Sequence, residues 1–195
     1  TSIKRSFKRM KIKNQTWNDI KKQIKEFSND GLINLIKDLY EVSPTNKAFL
    51  QTRFGGSSPQ ATLEPYKKRI QSPLIWRGNT PPSLKVSDAR KAISEYKKAT
   101  NDEEGTLELR LFYLDCLVKC FTDFGVDDEA YVNSIDTALS NFIDGLKKAN
   151  SARLYKKFEK QFKSLTTRYD NWGCGVDDDL RTAYEEFDED WGKAE

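Results

Sequence analysis

Leu107, Leu111, Leu114, Val118 and Phe121 recur every three or four residues, and Phe112, Leu117 and Phe124 widen the stripe they draw. Side chains three and four apart share one face of an α-helix, so this period predicts helix. The same spacing runs through nearly the whole chain. It links Trp17, Ile20, Ile24 and Phe27, then Leu32, Ile36, Leu39 and Tyr40, and later Ala89, Ile93 and Tyr96. It returns in Tyr131, Ile135, Leu139, Phe142 and Leu146, in Leu154, Phe158, Phe162, Leu165 and Tyr169, and in Leu180, Tyr184, Phe187 and Trp191. No convincing strand pattern interrupts it. The chain is therefore expected to be all-α, with about eight helices in an irregular multi-helix bundle or a HEAT-like helical stack. Periodicity alone does not separate those two. The widest stripe, over 106–124, predicts the central helix.

Punctuation between the stripes is that of helix ends. Thr16, Ser28, Ser43 and Ser87 are N-cap types, Pro44 suits a first helical position, and Gly125 suits the residue just past a helix. Asp127-Asp128-Glu129 and Asp177-Asp178-Asp179 place acids where the helix dipole favours them. Pro65 is expected near the first turn of a helix around Leu63–Gln71. Gly55-Gly56-Ser57-Ser58-Pro59 breaks the chain, and Asp170–Val176 is a glycine-rich turn. Residues 72–86 hold Pro73, Gly78, Pro81 and Pro82 and form the one long irregular connection, which carries Trp76-Arg77. At 195 residues the chain fits one domain. The expected organisation is a basic, flexible leader over 1–15 and a single helical domain over 16–195.

Composition excludes several classes. The most apolar run, Leu107–Phe124, is broken by Glu108, Arg110, Asp115, Lys119 and Asp123, so no membrane span is expected. No apolar secretory segment follows the basic first residues. Three cysteines are an odd number in a chain large enough not to need staples, which points to reduced thiols and a cytoplasmic location. Histidine is absent, which removes His-activated nucleophiles, zinc sites with a His ligand and the usual general base near neutral pH. The formal charge of +3 hides an asymmetry. Residues 1–25 hold nine Lys or Arg and one acid, Asp19, whereas residues 177–195 hold nine acids and two bases. Met10 is the one methionine and a candidate start. A nucleic-acid reading therefore gains nothing from Lys4, Arg5, Lys8 and Arg9.

Candidate chemistry is sparse. Cys116 and Cys120 share a helical face, and Cys174 is a possible third thiolate for a soft metal or redox site. Yet cysteine is also a common small core residue, and no fourth ligand accompanies these three. The acids at Asp123, Asp127, Asp128 and Glu129 and at 177–179 are candidates for a cation site, but helix N-terminal charge accounts for both groups. Gly55-Gly56-Ser57-Ser58 lacks the Gly-Lys-Ser/Thr ending of a phosphate loop and reads as a linker. Trp172-Gly173-Cys174-Gly175 reads as a structural turn whose glycines permit positive φ.

Several strings together resemble a family of uncharacterised bacterial helical proteins, a domain of unknown function. They are Leu35-Ile36-Lys37-Asp38-Leu39-Tyr40, Asn46-Lys47-Ala48-Phe49-Leu50, Leu63-Glu64-Pro65-Tyr66-Lys67-Lys68 and Ala89-Arg90-Lys91-Ala92-Ile93-Ser94-Glu95-Tyr96. Phe124-Gly125-Val126-Asp127-Asp128-Glu129 and Trp172-Gly173-Cys174-Gly175-Val176-Asp177-Asp178 extend the resemblance across roughly residues 17–187. The family position between the two glycines is aromatic, whereas this chain has Cys174. The resemblance implies a helical fold and a bacterial or phage-related source. It brings no activity, cofactor or catalytic residue.

The functional expectation is a non-catalytic helical protein-interaction module or adaptor. Trp76, Arg77 and Trp172 are its candidate contacts, because Trp and Arg are favoured interface anchors. The alternative is nucleic-acid binding through the basic N-terminal region, with Lys21, Lys22 and Lys25 and with Lys67, Lys68 and Arg69 near in sequence. A second alternative is a carboxylate-dependent metal site or hydrolase. No catalytic residue, metal ligand or cofactor is assigned. The expected partner is another protein, with nucleic acid second and no membrane.

Overall fold

The computed structural model describes residues 15–55, 59–126, 128–168 and 175–192. The described residues form nine α-helices: α1 (Trp17–Ile24), α2 (Asn29–Val42), α3 (Pro44–Phe54), α4 (Pro59–Gln71), α5 (Val86–Thr100), α6 (Glu103–Phe124), α7 (Glu129–Ala149), α8 (Ala152–Arg168) and α9 (Val176–Gly192). A 3-10 turn, Ser72–Leu74, continues α4. Among the described residues the one β feature is an isolated bridge between Arg77 and Thr80. The fold is an all-α multi-helix bundle. Contacts within the chain cluster in two compact units, 1–47 and 48–195, with the boundary inside α3. Most of the leader drawn over 1–15 lies outside the described residues.

The core belongs to the second unit. There α6 packs against α4, α5, α7 and α8, and α9 packs against α7 and α8. Leu107, Leu109, Leu111, Leu114, Leu117 and Val118 are all buried, so α6 is covered over most of its circumference rather than along one narrow stripe. That makes it the central helix the widest stripe predicts. Aromatic side chains carry the far side of the core. Phe142 of α7 meets Phe158 and Phe162 of α8 edge-on, at 5.9 and 5.5 Å between ring centroids, and Phe162 meets Phe187 of α9 at 5.7 Å. Each fully buried Phe contributes ~1.5–3 kcal/mol from area alone, so truncating any one of them threatens the fold.

Several helix ends follow the sequence signals. Asp128 accepts from the Tyr131 amide at 2.9 Å, and Gly125 ends α6 at φ +59°. Others differ. α5 begins at Val86 with Lys85 at its N-cap position and no side-chain cap, so Ser87 lies inside the helix. Pro65 also sits inside α4, whose first residue is Pro59, rather than in its first turn. α6 starts earlier than the stripe suggests, because Asp102 caps it by accepting from the Gly105 amide at 3.0 Å.

In the first unit, Thr16 and Asp19 cap α1 reciprocally, and Ser28 caps α2 by accepting from the Gly31 amide at 3.1 Å. The Thr16 hydroxyl bond, ahead of its amide, holds the Asp19 carboxyl below its ordinary range. The apolar stripes of α1 and α2 do not become a core. Neither helix buries a single residue, and Trp17, Ile20, Phe27, Ile36 and Leu39 are all exposed. Two short helices present one amphipathic face each, and burying both faces requires a further layer.

Candidate functional site

The 72–86 connection is ordered by two nested closures. The Leu84 amide donates to the Pro73 carbonyl at 3.0 Å. Inside that loop Arg77 and Thr80 exchange both backbone bonds, at 3.1 and 3.0 Å. Gly78 makes the tight turn between them at φ +58°, a conformation that costs glycine nothing. Pro73 and Leu74 are buried and anchor the base. Leu84 itself stands at φ +56°, a position that costs a branched residue ~1–3 kcal/mol and is tolerated because its side chain packs against the core. The next residue, Lys85, sits at φ −76° and ψ 72° while the Val86 amide donates to the Leu84 carbonyl at 2.8 Å. That is an inverse γ-turn, and it fixes the backbone of Lys85 at the mouth of α5.

These closures wall a cavity of about 700 Å³ between the end of α4, the connection and the start of α5. Lys68 and Arg69 come from α4, Arg77 from the small hairpin, and Lys85 and Lys91 from α5 and its approach. Ser72, Thr80 and Ser83 add hydroxyls, and Asp88 is the one carboxylate on the wall. Arg69 is paired with Glu95 at 2.7 Å, and Lys91 lies 4.0 Å from the same carboxylate. The Arg77 guanidinium donates to the Ser72 hydroxyl at 2.5 Å.

Of the sequence candidates, Trp76 is 48 % exposed and packs on Phe124 with centroids 5.8 Å apart. Arg77, next to it, lines the cavity. Trp172 lies outside the described residues. Lys21, Lys22 and Lys25 are exposed on the first unit. The run Lys67-Lys68-Arg69 is divided by its helix. Lys67 pairs with Glu108 of α6 at 2.9 Å, while its two neighbours face the cavity. Sequence reasoning missed Lys85 and Lys91. Their spacing with Asp88, at three-residue steps along one face of α5, was the available signal.

The thiol and carboxylate candidates resolve differently. Cys116 and Cys120 are buried in the core of α6. Burial pushes the Cys116 thiol up to about 12 and raises that of Cys120 as well, so neither is a thiolate near neutral pH. Cys174 and Asp127 lie outside the described residues. Asp123 pairs with Lys119 at 2.8 Å, Asp128 caps α7, and Asp178 pairs with Arg181. Among the described residues no three carboxylates or thiols gather closely enough to hold a metal ion. No helix of the described residues is long and apolar enough to cross a membrane. No family model matches the chain, and no curated protein and no solved structure matches it.

Proposed function

We propose that this chain is a non-catalytic helical protein-interaction module, an adaptor whose α1–α2 face meets its partner. The observation that carries the reading is the uncovered apolar stripe that each of those two helices presents. Trp17 is 65 % exposed, Ile33 63 % and Ile36 49 %. Large exposed apolar patches with polar rims are characteristic of association surfaces. Lys21 and Lys22 are exposed on α1, and Lys25 is exposed at its C-cap position. The fitting partner is therefore a protein surface that is apolar at its centre and acidic at its rim. Trp76 and Phe124, an exposed aromatic pair on the second unit, are further contact candidates. A cytoplasmic location and membership of the bacterial family the sequence resembles belong to the same proposal.

The test is capture from a native lysate by the wild type and by an Ile33→Glu/Ile36→Glu variant of equal helicity. A protein retained by the wild type and released by the variant is the expected result. Equal capture by both, or no specific protein under several salt conditions, defeats the proposal. Nucleic-acid binding is the second reading, favoured by the cationic cavity and by the exposed Lys21, Lys22 and Lys25 of the first unit. An electrophoretic shift at low salt tests it, because the phosphate contribution is largest there.

A further inference from the structure

We propose that the cationic cavity of the second unit is a binding site for a small phosphorylated ligand, with Lys68, Arg77 and Lys85 as its charge-bearing contacts. Several cations of the second unit outside the cavity are neutralised by carboxylates. Lys67 is paired with Glu108, Lys157 with Glu104 and Glu108, Arg153 with Glu104, and Arg168 with Asp115. On the cavity wall Arg69 and Lys91 share Glu95. Lys68 and Lys85 have no carboxylate partner among the described residues, and Arg77 bonds a neutral hydroxyl. Gathering like charges around a concave surface is unfavourable, and concavity focuses the positive potential on anything that enters. An anion relieves that cost.

The donor set specifies which anion. A guanidinium fork, two free ammonium groups and the hydroxyls of Thr80 and Ser83 offer many donors, while Asp88 is the only carboxylate on the wall. A phosphate has several acceptor oxygens and more than one charge, which is the complement of such a set. Volume argues for a small molecule, since about 700 Å³ lies within the ~300–1,000 Å³ range of ligand clefts. The walls are also built before any ligand arrives. Gly78 and the Arg77–Thr80 bridge hold Arg77, and the positive φ of Leu84 with the turn at Lys85 aims the chain that carries Ser83 and Lys85. Backbone strain of this kind persists where surrounding structure over-determines it, and functional sites are where it clusters. The inference goes beyond the docking reading and does not depend on it, because no residue of α1 or α2 takes part.

Titration calorimetry of the full chain with inorganic pyrophosphate at low salt is the test. Saturable binding is expected, weakening as salt is raised. Losing one charge-assisted contact lowers affinity about tenfold or more, so Lys85→Ala and Arg77→Ala should each show that loss. Lys67→Ala, whose lysine faces Glu108, should stay within about twofold of the wild type, a change too small for a lost charged contact. Thermal unfolding of each variant checks that it is folded. No pyrophosphate binding at low salt overturns the proposal, as does binding that Lys85→Ala and Arg77→Ala leave unchanged. A single-stranded oligonucleotide is titrated in parallel. If it alone binds, and the cavity variants abolish that binding, the site belongs to a nucleic-acid strand and the small-ligand proposal is overturned. Ile33→Glu/Ile36→Glu should bind pyrophosphate normally, which separates failure here from failure of the docking reading.

Discussion

At the residue scale the cysteines show how much environment decides. A pair four apart on a helix is equally compatible with a reactive site and with core packing. The deciding quantity is burial, which raises the pKa of both thiols. A thiol-specific reagent at neutral pH should therefore label no more than one of the three cysteines in the native protein, and all three after denaturation. Fast native labelling of Cys116 or Cys120, read by peptide mass, would refute the core assignment. The same contrast separates Lys67 from Lys68. They are adjacent in sequence and alike in chemistry, yet one closes an ion pair with α6 and the other lines the cavity. Helical geometry turns adjacent residues about 100° apart, and only the neighbouring helix tells which of the two meets a carboxylate.

At the element scale the charged contacts of α6 are more specific than its stripe. Glu104 accepts from Arg153 at 2.6 Å and Lys157 at 2.8 Å, both on α8, and those bonds hold its carboxyl down at about 2. Burial pushes Glu108 up, but bonds from Lys67 of α4 and Lys157 of α8 outweigh it and leave the carboxyl below its ordinary value. A carboxyl depressed in the folded state adds stability that is complete above its unfolded pKa and is lost as protons bind. Resistance to urea should accordingly fall as pH drops from about 4.5 toward about 2, and Glu104→Gln should flatten that fall. An unchanged acid limb in the variant would remove Glu104 from the account. Solvent screens these partly exposed pairs, so the effect is modest and shrinks with added salt. The sequence made the helices legible through period and caps, as at Asp128 and Gly125. It did not reveal which acids on α6 pair with which bases, because those partners lie 49 and 53 residues away in the chain.

At the scale of the whole molecule the two units differ in kind. Every buried apolar side chain among the described residues falls between Leu63 and Phe187, inside the second unit. A chain beginning at Ala48 should therefore unfold cooperatively on heating, with a midpoint close to that of the full protein. It should also keep pyrophosphate binding while losing partner capture. A truncated chain without a cooperative transition would show that the first unit contributes to that core after all.

What the sequence determined by itself was the class of fold: helical period, capping residues and the breadth of the 106–124 stripe specify helices and a central one, because those signals are local. It also identified the 72–86 connection and Trp76-Arg77 as the irregular part of the chain. What only the tertiary structure decided was the use of those parts. It left the stripes of α1 and α2 unburied, set Cys116 and Cys120 inside the core, and brought Lys68, Arg77 and Lys85 to one cavity. The physical reason is that burial and charge convergence are properties of several elements at once, and no window along the chain contains them.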